Sequence, residues 1–355
     1  MRSHKNISTF FLLVVAAVCM ISCKKNIAYP VTPGSLDFSE LDKLLNDSVP
    51  GKFGGKCFAM VNVDGKTVYA KDWGGYDANT KQLIASCSKW LSAAVLMSLV
   101  DENKLKLSDS LGKYMPIFTT YGKGGMTIGQ LFSHTSGFPG SAPYESNPLI
   151  TLAQAVDLIA KNVALEYTPG TQFLYGGVSM LVAGRVCEIV SGKSWADLVQ
   201  QKIATPCGML NTDYGITNNP GIAGGGRSTP EDYMKLLDMM MNKGVANNGN
   251  RVLSEAAVAA MEQSYTSSVT VNYSPYPVIL FNSKGFYGIG NWRDVTGPGD
   301  VLIENSSPGA FGSHPWINRG KKISGFIFTY IPVNGYLSTL PTCIKARTIV
   351  RTIVP

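Results

Sequence analysis

Hydrophobic positions repeat with two different periods along the chain, and the order of those periods predicts the architecture. Leu36, Leu41, Leu44 and Leu45 lie at helical spacing, so the segment from 36 to 45 reads as a helix. Residues 57 to 71 then alternate apolar and polar on either side of Asp64-Gly65. That pair suits a two-residue hairpin turn, whose central positions take positive φ, and two antiparallel strands are expected there. The middle of the chain returns to a helical pattern: Thr151 with Gln154 and Thr229-Pro230 with Asp232 read as helix starts, Gly192 and Gly244 as stops. Aromatic and β-branched residues then enrich 285–295, 301–304 and 323–333, which predicts late strands, and 341–354 reads as a closing helix. Hairpin, helices and strands in that order describe an α+β fold. One antiparallel sheet is built from both chain ends and flanked by helices, with a helical lobe over about residues 105–250 inserted between its first and last strands. A cleft between sheet and lobe is the natural place for a site. The tandem Met239 to Met241 falls within a helical pattern and reads as core filling.

The first residues stand apart from this pattern. Arg2, His4 and Lys5 precede an apolar run from Phe10 to Ile21, the arrangement of a secretory signal peptide. A membrane-spanning helix needs about 20 apolar residues, and this run ends sooner, at Ser22-Cys23-Lys24-Lys25. Met20-Ile21-Ser22-Cys23 is similar to the lipobox of bacterial lipoproteins, which implies lipidation of Cys23; an ordinary cleaved signal peptide is the alternative. The chain is therefore expected to divide into a signal peptide (1–22), a lipidated cysteine with a tether containing Pro30, Pro33 and Gly34 (23–35), and one domain (36–355). Export to a bacterial cell envelope, with membrane contact through the lipid, follows from that reading.

Composition narrows the function classes. With 45% hydrophobic and 15% charged residues the chain can build an ordinary globular core. Loss of Arg2 and Lys5 with the leader leaves 29 basic against 24 acidic residues, and no Lys/Arg block exceeds Lys24-Lys25 or Lys321-Lys322, so no nucleic-acid partner is expected. Cys57, Cys87, Cys187, Cys207 and Cys343 are odd in number and include no C-x-x-C; they read as small buried hydrophobes rather than a disulfide framework. Beyond the leader only His134 and His314 remain, without H-E-x-x-H, so neither a metal nor another cofactor is expected. Gly192-Lys193-Ser194 ends like a phosphate loop, yet Cys187 stands where the leading glycine belongs. No G-x-S-x-G is present for an α/β-hydrolase triad.

The chemistry is carried by Ala85-Ser86-Cys87-Ser88-Lys89-Trp90, which opens a helical stretch. Positions i and i+3 share a helix face, so Ser86 and Lys89 are expected side by side, where an amine can take a hydroxyl proton. A serine alcohol is a poor nucleophile until a base accepts that proton, and a lysine does so only when its surroundings lower its pKa. The helix N-terminus favours a developing oxyanion, and the Ser86 N–H can donate to it.

These residues and their neighbours resemble the β-lactamase and penicillin-binding-protein superfamily over roughly residues 36 to 350. The likeness is to its class C-related branch of β-lactamases, carboxylesterases, DD-peptidases and D-aminopeptidases. Thr127-Ile128-Gly129-Gln130-Leu131-Phe132-Ser133-His134-Thr135-Ser136-Gly137 is similar to the family segment T-I-x-x-L-L-x-H-T-S-G, and Tyr175-Gly176-Gly177 to its Y-x-N motif. The resemblance implies a β-lactamase/transpeptidase-like fold, Tyr175 as the proton relay between Ser86 and the leaving group, and a structural role for the His134 loop. Ser307-Pro308-Gly309 stands where the family has Lys-Thr-Gly or His-x-Gly, so Gly177, Ser307 and Gly309 are the implied substrate-contacting positions and the Ala310 N–H the second oxyanion donor. Gly177 and Ser307 replace the groups that grip a β-lactam or peptide amide and its carboxylate. The expected activity is therefore hydrolysis of an ester or small amide through an acyl-enzyme, the alternatives being a β-lactamase or DD-peptidase and a catalytically silent lipoprotein.

Overall fold

The computed structural model describes residues 36–145, 147–276 and 285–355, so the leader, Cys23 and the tether lie outside the described residues. Its centre is a six-stranded antiparallel sheet ordered Lys66–Trp73, Cys57–Val63, Ile323–Phe328, His314–Asn318, Leu302–Ser306, Trp292–Thr296. Two strands come from the start of the domain and four from its end, joined by the pairing of Phe58 with Phe328 and Val61 with Gly325. The first hairpin turns at Asp64 and Gly65, with φ of 50° and 72°, as the Asp-Gly pair predicts.

Helices Ser39–Lys52 and Gly335–Ile353 cover one face of the sheet, burying Leu41, Leu45 and Val49 against Cys343, Ala346 and Val350. The other face carries helix Pro230–Met241, whose Tyr233 hydroxyl donates to Cys87 O just ahead of helix Ser88–Asp101. Ser88–Asp101 is buried along nearly its whole length, from Ser88 to Leu99, because helices Val178–Ser191, Trp195–Val199 and Glu255–Glu262 pack around it. An apolar stripe would be useless in that position, and the sequence there is apolar all round. The predicted starts at Thr151 and Thr229 are real caps, each side-chain oxygen accepting the backbone N–H three residues on. Gly192 ends helix Val178–Ser191 in the left-handed conformation at φ 68°; Gly244 lies three residues beyond Met241, also at positive φ. Met239 and Met240 are buried core, and the five cysteines are free and buried.

Three late elements differ from expectation. Strand His314–Asn318 escapes the pattern because all five of its residues are buried, which erases the alternation, and because Pro315 argues against a strand. The stretch from 285 is extended only from Trp292 onward, and the last strand stops at Phe328. The closing helix starts at Gly335 rather than near Pro341, which lies inside it. Tertiary bonds hold the first turns through the proline: the Tyr336 N–H donates to Ala310 O at 2.9 Å and the Thr339 hydroxyl to Gly312 O at 2.9 Å. Among the described residues no helix is long and apolar enough to cross a membrane.

Candidate active site

Ser86 lies in a short 3-10 turn, Ala85–Cys87, that leads directly into helix Ser88–Asp101. Ala85 takes φ 45°, a left-handed conformation that costs a non-glycine residue about 1 kcal/mol or more. Surrounding bonds hold it there. The Ile84 N–H donates to Gly226 O at 2.9 Å, the Tyr233 hydroxyl to Cys87 O at 2.7 Å, and the Ser307 hydroxyl to Ser86 O at 3.0 Å. The Ser86 side chain is thereby presented at the mouth of the cleft while its backbone is fixed.

One turn on, the Lys89 amine donates to Ser86 Oγ at 3.0 Å and to Ala223 O at 3.1 Å. Its side chain is buried, and burial pulls its pKa down to about 7 against the upward pull of the Glu145 carboxylate. Near neutral pH the amine therefore has an accessible unprotonated form able to accept a proton. The Lys89 amine also lies 4.5 Å from the centre of the Tyr175 ring. Burial pushes the Tyr175 phenol well above its ordinary range, a rise that hydrogen bonding to Ser86 partly offsets. Serine, lysine and tyrosine, the three residues expected to act together, thus converge from two separate segments.

The segment around His134 explains how Tyr175 is held. Thr127 and Gln130 form a reciprocal capping box on the short helix Ile128–Phe132. His134 follows at φ 59°, and its carbonyl accepts the Leu174 N–H at 2.9 Å. Its ring packs 4.6 Å from the Tyr175 ring, and its Nε2 pairs with the Tyr287 hydroxyl at 3.2 Å. Burial and the nearby Lys89 keep the imidazole neutral, so it serves as an aromatic wedge. Trp292 stacks on Tyr175 at 5.2 Å with a 24° tilt.

Two lobes of one cleft meet at Ser86 and Ala310, which line both. The first, about 360 Å³, is aromatic, with Tyr175, Tyr273, Tyr276, Trp292 and Tyr336 in its wall. The second, the polar lobe for the charged and amide groups it holds, is about 530 Å³ and is bounded by Lys89, Glu145, Gly177, Asn219 and the glycine-rich turn Gly221 to Gly225, with Leu181, Ile222 and Phe311 among them. Among the described residues no backbone carbonyl binds the N–H of Ser86 or of Ala310, and both groups are free for a carbonyl oxygen entering between the lobes.

The remaining expected positions fall in different places. Gly177 lines the polar lobe. Ser307 is buried, with its hydroxyl on Ser86 O rather than in either lobe. Gly309 packs against the nucleophile turn, where an added Cβ would meet Ile84 O at 2.4 Å. Arg227, in the turn before helix Pro230–Met241, is bound to Asp213, with Nε to Oδ1 at 2.7 Å. Cys87 is buried beneath Ser86, and burial raises its thiol, which leaves it unreactive. Glu145 and the aromatic wall were not singled out from sequence. A glutamate in a polar loop carries no local signal, and the wall is gathered from four separate segments of the chain.

A family model described as Beta-lactamase matches residues 57–335. Penicillin-binding protein 4 of Amycolatopsis lactamdurans is 28% identical over 50% of this chain and 55% of its own length. The chain spans about half the length of curated relatives it matches. A crystal structure of a candidate beta-lactamase from Bacteroides dorei superimposes with a TM-score of 0.82 at 27% identity, covering 90% of this chain and 99% of that one. A hydrolase with promiscuous acyltransferase activity shares the fold at a TM-score of 0.70 and 18% identity, over 88% of this chain and 100% of that one.

Proposed function

This chain belongs to the beta-lactamase family, and from that premise we propose that it is a serine hydrolase that cleaves esters or small amides through an acyl-enzyme on Ser86. The observation that carries the reading is the Lys89 amine, 3.0 Å from Ser86 Oγ and lowered by burial to about 7. Ser86 Oγ attacks the substrate carbonyl carbon as its proton passes to Lys89, and the new C–O bond leaves the charge on the carbonyl oxygen between the Ser86 and Ala310 N–H groups. Collapse expels the leaving group, which takes a proton from the Tyr175 phenol, itself resupplied from Lys89. Water then adds to the acyl-enzyme, releases the acid and restores the serine.

Ester cleavage is favoured over β-lactam or terminal peptide cleavage because neither Gly177 nor Ser307 offers the expected polar grip. The domain is proposed to be exported and held at the cell envelope by a lipid on Cys23. A fluorophosphonate probe followed by intact-mass measurement tests the mechanism. One adduct mapped to Ser86 and lost in Ser86→Ala is the expected result, and labelling that survives Ser86→Ala excludes it. A panel of p-nitrophenyl esters, a chromogenic cephalosporin and a D-Ala-D-Ala peptide separates esterase from cell-wall or β-lactamase activity. Incorporation of a labelled fatty acid, lost in Cys23→Ser, tests the anchor.

A further inference from the structure

The position opened by Gly177 is occupied. A Cβ built there would fall 1.9 Å from Glu145 Oε2, so the carboxylate fills the space into which a side chain at 177 would project. Glu145 Oε1 is fixed by the Ala142 N–H at 2.6 Å. Among the described residues, Glu145 and Lys89 are the sole ionisable side chains other than Tyr214 in the wall of the polar lobe. Tyr214 is buried and remains a neutral phenol. Burial raises the Glu145 carboxyl above its ordinary range, and in its ionised form beside a neutral Lys89 it is the one charge in the lobe's wall among the described residues. Asn219, in the same wall, is held by both protons of its amide, which go to the carbonyls of Tyr144 and Asn147 at 2.9 and 3.1 Å.

We infer that Glu145 is a specificity-determining residue that receives a cationic ammonium group on the acyl part of the substrate, as in an aminoacyl ester. This rests on the acyl-enzyme reading above and extends it. The side of the cleft follows from the proton donor. Tyr175 lines only the aromatic lobe, so the leaving group departs there and the acyl group occupies the polar lobe beside Glu145. A substrate carboxylate in that lobe would meet like charge, whereas an ammonium gains a charge-assisted hydrogen bond.

Hydrolysis of alanine benzyl thioester and of benzyl thiopropionate, followed by thiol release, tests the assignment. The ratio of their kcat/KM values is divided by the same ratio for hydroxide, which removes intrinsic reactivity. The corrected ratio is expected to favour the amine by about tenfold to a hundredfold and to collapse in Glu145→Gln. A merely structural role would slow both thioesters alike, and an unchanged ratio in Glu145→Gln overturns the inference. If that variant does not fold, inhibition of wild-type thiopropionate hydrolysis is compared for alaninamide and propionamide, and equal inhibition overturns it. Ser86-dependent turnover of both thioesters without amine preference defeats this inference alone; no Ser86-dependent turnover of either defeats the hydrolase reading with it.

Discussion

The two lobes that share Ser86 are stabilised in opposite ways. The aromatic lobe is an extension of the hydrophobic core: Trp292 is 1% exposed and packs against Tyr175, Tyr287 at 4.7 Å and Tyr276 at 5.0 Å. Its residues contribute burial and ring packing to folding and hold the cleft open as a by-product. The polar lobe is costly to fold. Among the described residues Lys89 is buried with no carboxylate in hydrogen-bond contact and Asn219 leaves an acceptor unpaired, while Ala85 takes a left-handed backbone. The same desolvation that penalises Lys89 turns it into a base, so the strain and the chemistry have one origin. Substitutions on the two sides should therefore separate stability from activity.

The largest effect belongs to the proton-transfer unit, in which Lys89 lines the polar lobe and Tyr175 the aromatic one. Lys89→Ala and Tyr175→Phe should each slow acylation by about a thousandfold or more, because members of one proton-transfer unit fail together. Stopped-flow acylation with an activated ester measures this, and a loss below tenfold in both would remove the distinction between the lobes. On the aromatic side, Trp292→Ala should cost about 3–5 kcal/mol of stability, read as a lower denaturation midpoint. Its acylation rate should fall less than that of Lys89→Ala, since the serine and amine remain in contact. A Trp292→Ala protein as stable as wild type would mean that the wall is not core.

Much of this contrast lay outside what the sequence could reveal, and the reason is distance along the chain. Ser86 and Lys89 were legible because three residues on a helix fix their geometry, and the Asp64-Gly65 hairpin and the Thr151 and Thr229 caps were legible because turns and caps are local. The two-ended sheet followed from the order of the patterns. Tyr175 could be named only through its family likeness, because its approach to Ser86 depends on the His134 loop and Trp292. Glu145 was invisible: its proximity to Gly177 is set by two loops meeting where the Gly177 N–H donates to Gly140 O at 2.8 Å. Strand His314–Asn318 and the true start of the last helix were hidden by prolines whose local preference the tertiary structure overrides.

A moderate effect on stability sharpens the comparison from the other direction. Lys89→Met should abolish activity yet raise stability by about 1–3 kcal/mol near pH 7, since it removes a buried amine that folding must desolvate. The sign is tied to pH. Unfolded, the lysine keeps its proton up to about 10.5, whereas in the fold it gives it up near 7. Between those values the unfolded chain binds more protons, so wild-type stability rises with pH and the advantage of Lys89→Met should shrink from pH 7 toward pH 10. Denaturation midpoints of both proteins across that range test it, and a constant difference would show that Lys89 does not titrate in the fold.

The smallest effect concerns the coupling between Lys89 and Glu145. Acylation requires the neutral amine, so kcat/KM should rise with pH to a plateau, with its midpoint near the Lys89 value of about 7. The Glu145 carboxylate stabilises the protonated amine and holds that midpoint up. Glu145→Gln removes the charge and should move the rising limb to lower pH, by about one unit or less given the effective dielectric of a partly open cleft. The measurement is the pH profile of kcat/KM with an uncharged ester, chosen so that no substrate group titrates. A limb displaced to higher pH would mean that Glu145 acts on the base through something other than its charge, and an unmoved limb would mean that the carboxylate and the amine are not electrostatically linked.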